Sequence, residues 1–222
     1  MDWKEGLALR FTEFPIVKEG LLLVIPLSIL TIVLGFLLPV YITLLLILID
    51  LFLVYFFRNP KRSIPDFEGS VVAPADGKVI HAGEYLEDRF LGGKTIKISI
   101  FMSIFNVHIN RIPTSGRITD VFYKKGKFFS ANFDKASLLN EHNALLMETE
   151  NGKKVLFVQI AGLVARRIIC WIKKGDAVVR GQRFGLICFG SRVDIFLPLE
   201  TKIDVKIGQR VKGGETILGY LT

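Results

Sequence analysis

Residues 20–57 carry one charged side chain, Asp50, among 38 positions, whereas the chain after residue 58 breaks into short apolar runs separated by glycines and charges. "GLLLVIPLSILTIVLGFLL" (20–38) and "VYITLLLILIDLFLVYFF" (40–57) meet at Pro39. At about 1.5 Å per residue, each would nearly cross a hydrocarbon layer of roughly 30 Å as a helix. The pattern predicts a transmembrane helical hairpin within residues 1–57. The alternatives are one re-entrant segment or a buried hairpin of a soluble protein. A secretory signal does not fit, because the apolar block is too long and no small-residue cleavage site follows it.

The later runs have a different period. "VVAPADGKVI", "KTIKISIF", "NVHINRIP", "GRITDVFY", "NALLMET" and "KKVLFVQIAG" are short and β-prone, and in "KTIKIS" apolar and polar positions alternate imperfectly, as strands do. "FDKASLLNEH" (133–142) is the one weak helical candidate. "FFRNPKRSIPDFEGS" (56–70) carries aromatic, then basic, then proline-rich punctuation, so residues 58–70 read as a linker. Residues 71–222 are therefore expected to form a mostly β domain.

A repeat sharpens that expectation. "KKGDAVVRGQRFGLI" (173–187) and "KIGQRVKGGETILGY" (206–220) superpose at an offset of 33 residues, matching Gly175 to Gly208, Val178 to Val211, Gly181 to Gly214 and Phe184 to Ile217. Glycines at such spacing serve tight turns and the valines pack between them. The pattern resembles the barrel-sandwich hybrids of biotinyl and lipoyl carriers, whose first strand and turn "VVAPADGKV" (71–79) also resembles. No lysine stands in a carrier-like context, which argues against a carrier.

Charge adds orientation. Lys4, Arg10 and Lys18 precede the apolar block and Arg58, Lys61 and Arg62 follow it, so both ends and the β domain are expected on the cytoplasmic side of the cell membrane. Residues 58–222 carry 26 basic and 16 acidic side chains, a surplus that suits anionic headgroups. Nucleic acid is not expected as a partner, since no nucleic-acid motif accompanies the charge. Asp50 lies deep enough in the second segment to need a partner, the protonated form or a path to the interface. Cys170 and Cys188 have no metal-like spacing and read as small strand residues in a reducing compartment. No metal is expected.

The candidate chemistry lies in "GLICFGSRVDIFLP" (185–198), where Gly190-Ser191 interrupts two β-prone runs. A serine can add through Oγ to the carbonyl carbon of the residue before it, because proximity is already supplied. The amide becomes an ester, and loss of the serine α-proton expels the preceding chain. The dehydroalanine left behind hydrolyses to ammonia and a pyruvoyl group. On spacing alone the idea is weak, because a bare Gly-Ser is far more often a bulge or plain turn.

Taken in order, "FFRNPKRSIP", "VVAPADGKV", "FMSIFNVHINRIP", "AGLVARRI" and "RFGLICFGSRVDIFLP" resemble the phosphatidylserine decarboxylase family, in its short membrane-anchored proenzyme branch. The resemblance runs from about Phe56 to the C-terminus. It implies self-cleavage between Gly190 and Ser191 into associated chains 1–190 and 191–222. It also implies a pyruvoyl cofactor made from Ser191, whose keto group forms a Schiff base with the amine of a serine phospholipid before CO2 leaves. His108 is the implied acid or base and Asp76 the residue that orients it, although an Asp-Gly turn also explains Asp76. Arg111 stands where the longer bacterial branch has a second histidine. Together with Arg166 and Arg167 it is a candidate for the substrate's carboxylate or phosphate. His81 and His142 have no comparable context. Archaetidylserine decarboxylation and a non-catalytic membrane-anchored adaptor are the competing functions, and a homo-oligomer is compatible with either.

Overall fold

The computed structural model describes residues 15–126, 140–162, 167–188 and 190–222. Arg166 and most of the helical candidate 133–142 lie outside the described residues. The chain divides into a helical unit, residues 12–61, and a β unit from residue 62 onward.

The helical unit holds α1 (Lys18–Gly35) and α2 (Val40–Phe56). Val17 is extended and Glu19 occupies the first turn, so α1 starts two residues before the uncharged run begins. Among the described residues, α1 is the one helix long and apolar enough to cross a membrane; α2 is apolar and one residue shorter. Their leucines and isoleucines point outward, Leu22 being 78% and Leu48 63% exposed, a surface that suits lipid and not water. The two ends of the unit adjoin. Val17 N donates to Phe57 O at 3.1 Å, Asn59 N donates to Pro15 O at 2.7 Å, and Gly20 leaves no room for a Cβ against Phe57. Asp50 sits within α2, and its Oδ1 is shielded without a hydrogen bond.

The β unit contains β1 (Ser70–Val72), β2 (Gly77–Glu87), β3 (Gly93–Met102), β4 (Ile109–Arg111), β5 (Gly116–Lys124), β6 (His142–Glu148) and β7 (Lys154–Ala161). These are followed by β8 (Arg167–Cys170), β9 (Ala177–Val178), β10 (Arg183–Cys188), β11 (Ser191–Leu197), β12 (Lys202–Ile203), β13 (Arg210–Val211) and β14 (Ile217–Tyr220). Eight of them form a curled sheet in the order β13-β2-β3-β11-β7-β6-β5-β9, and two three-stranded sheets run β1-β14-β12 and β4-β10-β8. The unit is mostly β, as the run pattern predicts.

The repeat is larger than the two hairpins visible in the sequence. Val79 N donates to Gln209 O and Ile118 N to Asp176 O, both at 2.9 Å, while Gly214 N donates to Ala73 O and Gly181 N to Ile112 O, both at 2.8 Å. "APADGKV" (73–79) is thus matched by "IPTSGRI" (112–118), and β1-β14-β12 by β4-β10-β8. The matched glycines carry matched constraints. Gly175 and Gly208 both have φ +91. Beyond Gly181 and Gly214 the match shifts by one residue, so that Phe184 corresponds to Leu218 and not to Ile217, and Gly185 faces Asn110 as Gly219 faces Val71. A Cβ on either glycine would overlap a carbonyl of the neighbouring strand. Hairpins β9 and β13 close opposite edges of the large sheet, which leaves β3, β11 and β7 in its interior.

The core fills the concave side with Ile96, Ile98, Ile100 and Met102 of β3, Val193, Ile195 and Leu197 of β11, and Phe157 with Phe184. The start of the unit is packed against its strands. Arg62 is bonded to Asp76, and a Cβ added at Gly181 or Gly214 would collide with the Ile64 side chain. Lys97 and Ser99 occupy the polar alternation of β3, yet both are buried at 2%, because Tyr85 and Phe196 flank Lys97 on that second face.

Candidate active site

Gly190 is where the chain changes sheets. β10 belongs to β4-β10-β8 and ends at Cys188; β11 begins at Ser191 in the centre of the large sheet. Joining the two within a residue pair requires a sharp backbone turn, and Gly190 supplies it at φ +62. Space is not the constraint, since a Cβ at Gly190 would meet nothing within 4 Å. The Gly-Ser interruption is therefore a joint between sheets, with the peptide bond preceding Ser191 held at the joint.

Ser191 itself is fully buried between Met102 of β3 and Ala161 of β7. Its Oγ donates to the Met102 thioether at 3.3 Å, and Asn110 Nδ2 approaches the same sulfur at 3.7 Å. Behind Asn110 the amides form a chain. Gln159 Nε2 donates to Asn110 Oδ1 at 2.8 Å and Asn143 Nδ2 donates to Gln159 Oε1 at 3.0 Å, all three residues being at most 2% exposed. Sequence reasoning missed this chain. The signal present was a polar residue inside an apolar run, Asn110 in "NVHINRIP" and Gln159 in "VLFVQIAG", which a core tolerates only when it is bonded.

Replacing Gln159 by leucine strips a partner from two buried amides at once. A buried polar group left unpaired costs about 1–3 kcal/mol, so the Gln159→Leu chain should melt roughly 2–12 °C lower for a protein of this size. A thermal melt of the detergent-solubilised full chain measures this, and an unchanged midpoint would mean the amides are idle.

Among the predicted residues, His108 is 2% exposed and stands just before β4. Its Nδ1 lies 2.9 Å from Asn106 O, and because a carbonyl only accepts, Nδ1 carries the proton and Nε2 becomes the basic nitrogen. His108 O accepts from Ile187 N at 3.3 Å, which holds this segment beside the strand leading to Gly190. Asp76 precedes β2, one strand beyond β3 from Ser191, which is roughly 10 Å away by strand spacing. Its carboxylate accepts two bonds from Arg62 Nη2, at 3.0 and 2.8 Å, and one from Gly213 N at 2.7 Å. The other copy of the repeat explains the last bond, since Ser115 Oγ accepts from Arg180 N at 3.0 Å in the matching position. A serine suffices for the turn, so the carboxylate and its Arg62 partner are features peculiar to the Asp76 copy.

Arg111 is brought into the same cluster. It is buried, its Nη1 donates to Gly181 O at 2.9 Å, and its pKa falls to about 10. Burial is the main cause, helped by Arg183 and Arg62 and opposed by Asp76 and Glu215. Arg167 is exposed on β8, opposite Cys188. His142 has Nδ1 2.8 Å from Asn140 O and is held below the usual histidine range mainly by burial; His81 stacks edge-on to Tyr85 at 6.3 Å. Cys170 and Cys188 are free thiols on β8 and β10. No group of His, Cys, Asp or Glu side chains that could hold a metal occurs among the described residues.

The residue after Ser191 is also unusual. Arg192 is 1% exposed, its Nε 2.8 Å and its Nη2 3.0 Å from the two oxygens of Asp194, equally buried. Lys97 Nζ lies 3.6 Å from the same carboxylate and 4.2 Å from the Tyr85 ring centre. Two cations thus share one buried anion immediately behind the joint.

The model of the phosphatidylserine decarboxylase family matches residues 49–219. A phosphatidylserine decarboxylase proenzyme of Syntrophus aciditrophicus is 48% identical over 205 residues, covering 92% of this chain and 96% of its own. One from Citrifermentans bemidjiense is 48% identical over 222 residues, covering 96% of this chain and all of its own. One from Geobacter metallireducens is 53% identical over 173 residues, with 78% and 79% covered.

Proposed function

This chain belongs to the phosphatidylserine decarboxylase family, and from that premise we propose that it is a proenzyme that cleaves itself between Gly190 and Ser191 and then converts phosphatidylserine to phosphatidylethanolamine with release of CO2. The observation that carries the proposal is the joint. A glycine at positive φ feeds a serine that begins a central strand, with its hydroxyl held by a weak thioether acceptor and not by a strong one.

Cleavage balances within the chain. Ser191 Oγ adds to the Gly190 carbonyl carbon and the amide nitrogen leaves it, giving an ester and a free amine on Ser191. A base then removes the Ser191 α-proton, the electrons form a carbon–carbon double bond, and Gly190 departs as a carboxylate. Water converts the resulting dehydroalanine to the pyruvoyl group and ammonia. The fit of that group to this site rests on Ser191, which is buried and anchored on both sides by β3 and β7, so the new terminus stays in place.

The pyruvoyl group supplies the sink for the electrons left when the substrate carboxylate departs as CO2. His108, with Nδ1–H fixed to Asn106 O, offers Nε2 as proton acceptor and, once protonated, as donor to the substrate carbon. Asp76, fixed by Arg62, holds negative charge at the start of β2 and biases nearby groups toward the protonated state. Arg111 and Arg167 take the anionic groups of the substrate, with Arg166 in the same role. The apolar helices anchor the chain in the membrane with the β unit on the cytoplasmic side.

Mass measurement of the purified full chain tests the proposal. Expected are a fragment of 32 residues, 191–222, with a keto-bearing terminus, and its partner 1–190. An active preparation consisting of one intact chain overturns it. Ether-linked and ester-linked serine lipids assayed side by side give the substrate preference, with the ester lipid expected to turn over.

A further inference from the structure

The strand that pairs with Ser191 ends in a turn whose composition the fold does not require. Asn106 N donates to Ser103 O at 3.0 Å, and Asn106 Oδ1 accepts from Ser103 N and from Ser103 Oγ, both at 2.8 Å. The turn is therefore braced from within, and its corners are Ile104 and Phe105, 37% and 62% exposed. Corners of such turns favour Gly, Pro, Asn, Asp or Ser for backbone reasons. Two large apolar side chains there expose hydrocarbon to water.

The surroundings point to one kind of partner. The turn follows Met102, the residue opposite Ser191, and ends just before His108. Sheet register lines up Lys124, His142, Ile160 and Arg192 in one row across β5, β6, β7 and β11, so Lys124 sits at the Ser191 end of the sheet and Lys125 just beyond it. Both lysines are exposed, as is Tyr123, whose hydroxyl donates to Glu141 Oε1 at 2.9 Å. Arg167, opposite Cys188, is exposed on the strand pair that leads to the joint. An apolar tip flanked by tyrosine and cations is the composition of a surface that sits in a bilayer interface, with its bases over anionic phosphates. A protein partner would call for a larger apolar patch than two adjacent side chains.

We propose that the Ser103–Asn106 turn is a bilayer-inserting tip. It lowers Ile104 and Phe105 among the acyl chains of an anionic bilayer while Lys124, Lys125 and Arg167 meet lipid phosphates, so a lipid headgroup reaches Ser191 with its tails still in the membrane. Lifting the tails into water would cost free energy for every methylene exposed, and the tip removes that need. The inference rests on the lipid-decarboxylase reading above, and the test separates the two.

The full chain, reconstituted in phosphatidylcholine vesicles containing long-chain phosphatidylserine, is compared with an Ile104→Ser/Phe105→Ser variant. Self-cleavage and turnover of short-chain phosphatidylserine dispersed in detergent should match the parent. For vesicle substrate, KM should rise roughly tenfold, the loss expected when two apolar side chains no longer enter the interface, with kcat unchanged. In a Phe105→Trp variant, fluorescence beyond that of the parent should be quenched by phosphatidylcholine brominated on its acyl chains. An unchanged KM for vesicle substrate, or a Trp at 105 indifferent to the brominated lipid, overturns the tip. If the parent turns over neither form of phosphatidylserine, the decarboxylase reading fails, while the quenching result still decides whether the turn enters lipid.

Discussion

Ser191→Ala should accumulate as one uncut chain of 222 residues and lower phosphatidylserine decarboxylation by about 10^4-fold or more, the scale on which loss of a covalent catalytic group is felt. Alanine removes the only atom that can add to the Gly190 carbonyl from this position, so neither the ester nor the new terminus forms. The fold should survive, because Ser191 Oγ makes a single weak bond to Met102 Sδ and a methyl group fills most of the same volume. Ser191→Cys provides the contrast. A thiolate can add to the same carbon, and elimination from the thioester yields the same dehydroalanine, so slow cleavage and partial activity should return. Gel analysis and mass of the purified chains, with decarboxylation measured on the same samples, check both variants. Activity in an uncut Ser191→Ala chain would sink the serine-derived mechanism.

How much of this was legible in the sequence depends on whether the information was local. The helices were readable because 38 residues with one charge admit few alternatives. Their ends moved, to Lys18 and Gly35 in α1, because caps and the Phe36–Pro39 turn follow backbone geometry and not hydropathy. Half of the repeat was readable from glycine and valine spacing in the hairpins. The other half was not, since Asp76 and Ser115 do the same turn-capping work with different residue types. Gly190-Ser191 was found as a motif, but the physical reason for its interruption, a change of sheet, is a property of topology. Met102, Asn110, Gln159 and Asn143 come from four separate strands or strand edges, and only register gathers them around Ser191. The burial of Lys97 and Ser99 was not readable, because alternation in β3 reports two faces without saying that both are covered.

The buried charges behind the joint yield the last expectation, which concerns the two chains that the proposed cleavage would leave. After the proposed cut at 190–191, the small chain would stay attached through β11, which pairs over seven residues with β3 and six with β7. It would stay also through Asp194, whose carboxylate lies against Arg192 of the same segment and Lys97 of the segment before the cut. Removing one member of a buried ion set costs about 3–5 kcal/mol, because the charge left behind has already been stripped of water. Asp194→Asn should therefore destabilise the cleaved protein by about that amount, as two cations lose the anion they share. Lys97→Met should cost far less. It leaves Arg192 and Asp194 as a one-to-one pair and puts a thioether against the Tyr85 and Phe196 rings, where the ammonium now lies. Denaturant midpoints of the detergent-solubilised protein, together with co-elution of the two chains, measure the difference. The order Asp194→Asn much worse than Lys97→Met follows from counting charges in a buried triad. Equal losses would mean that each lysine or arginine is neutralised independently, and that the triad is not the clasp between the chains.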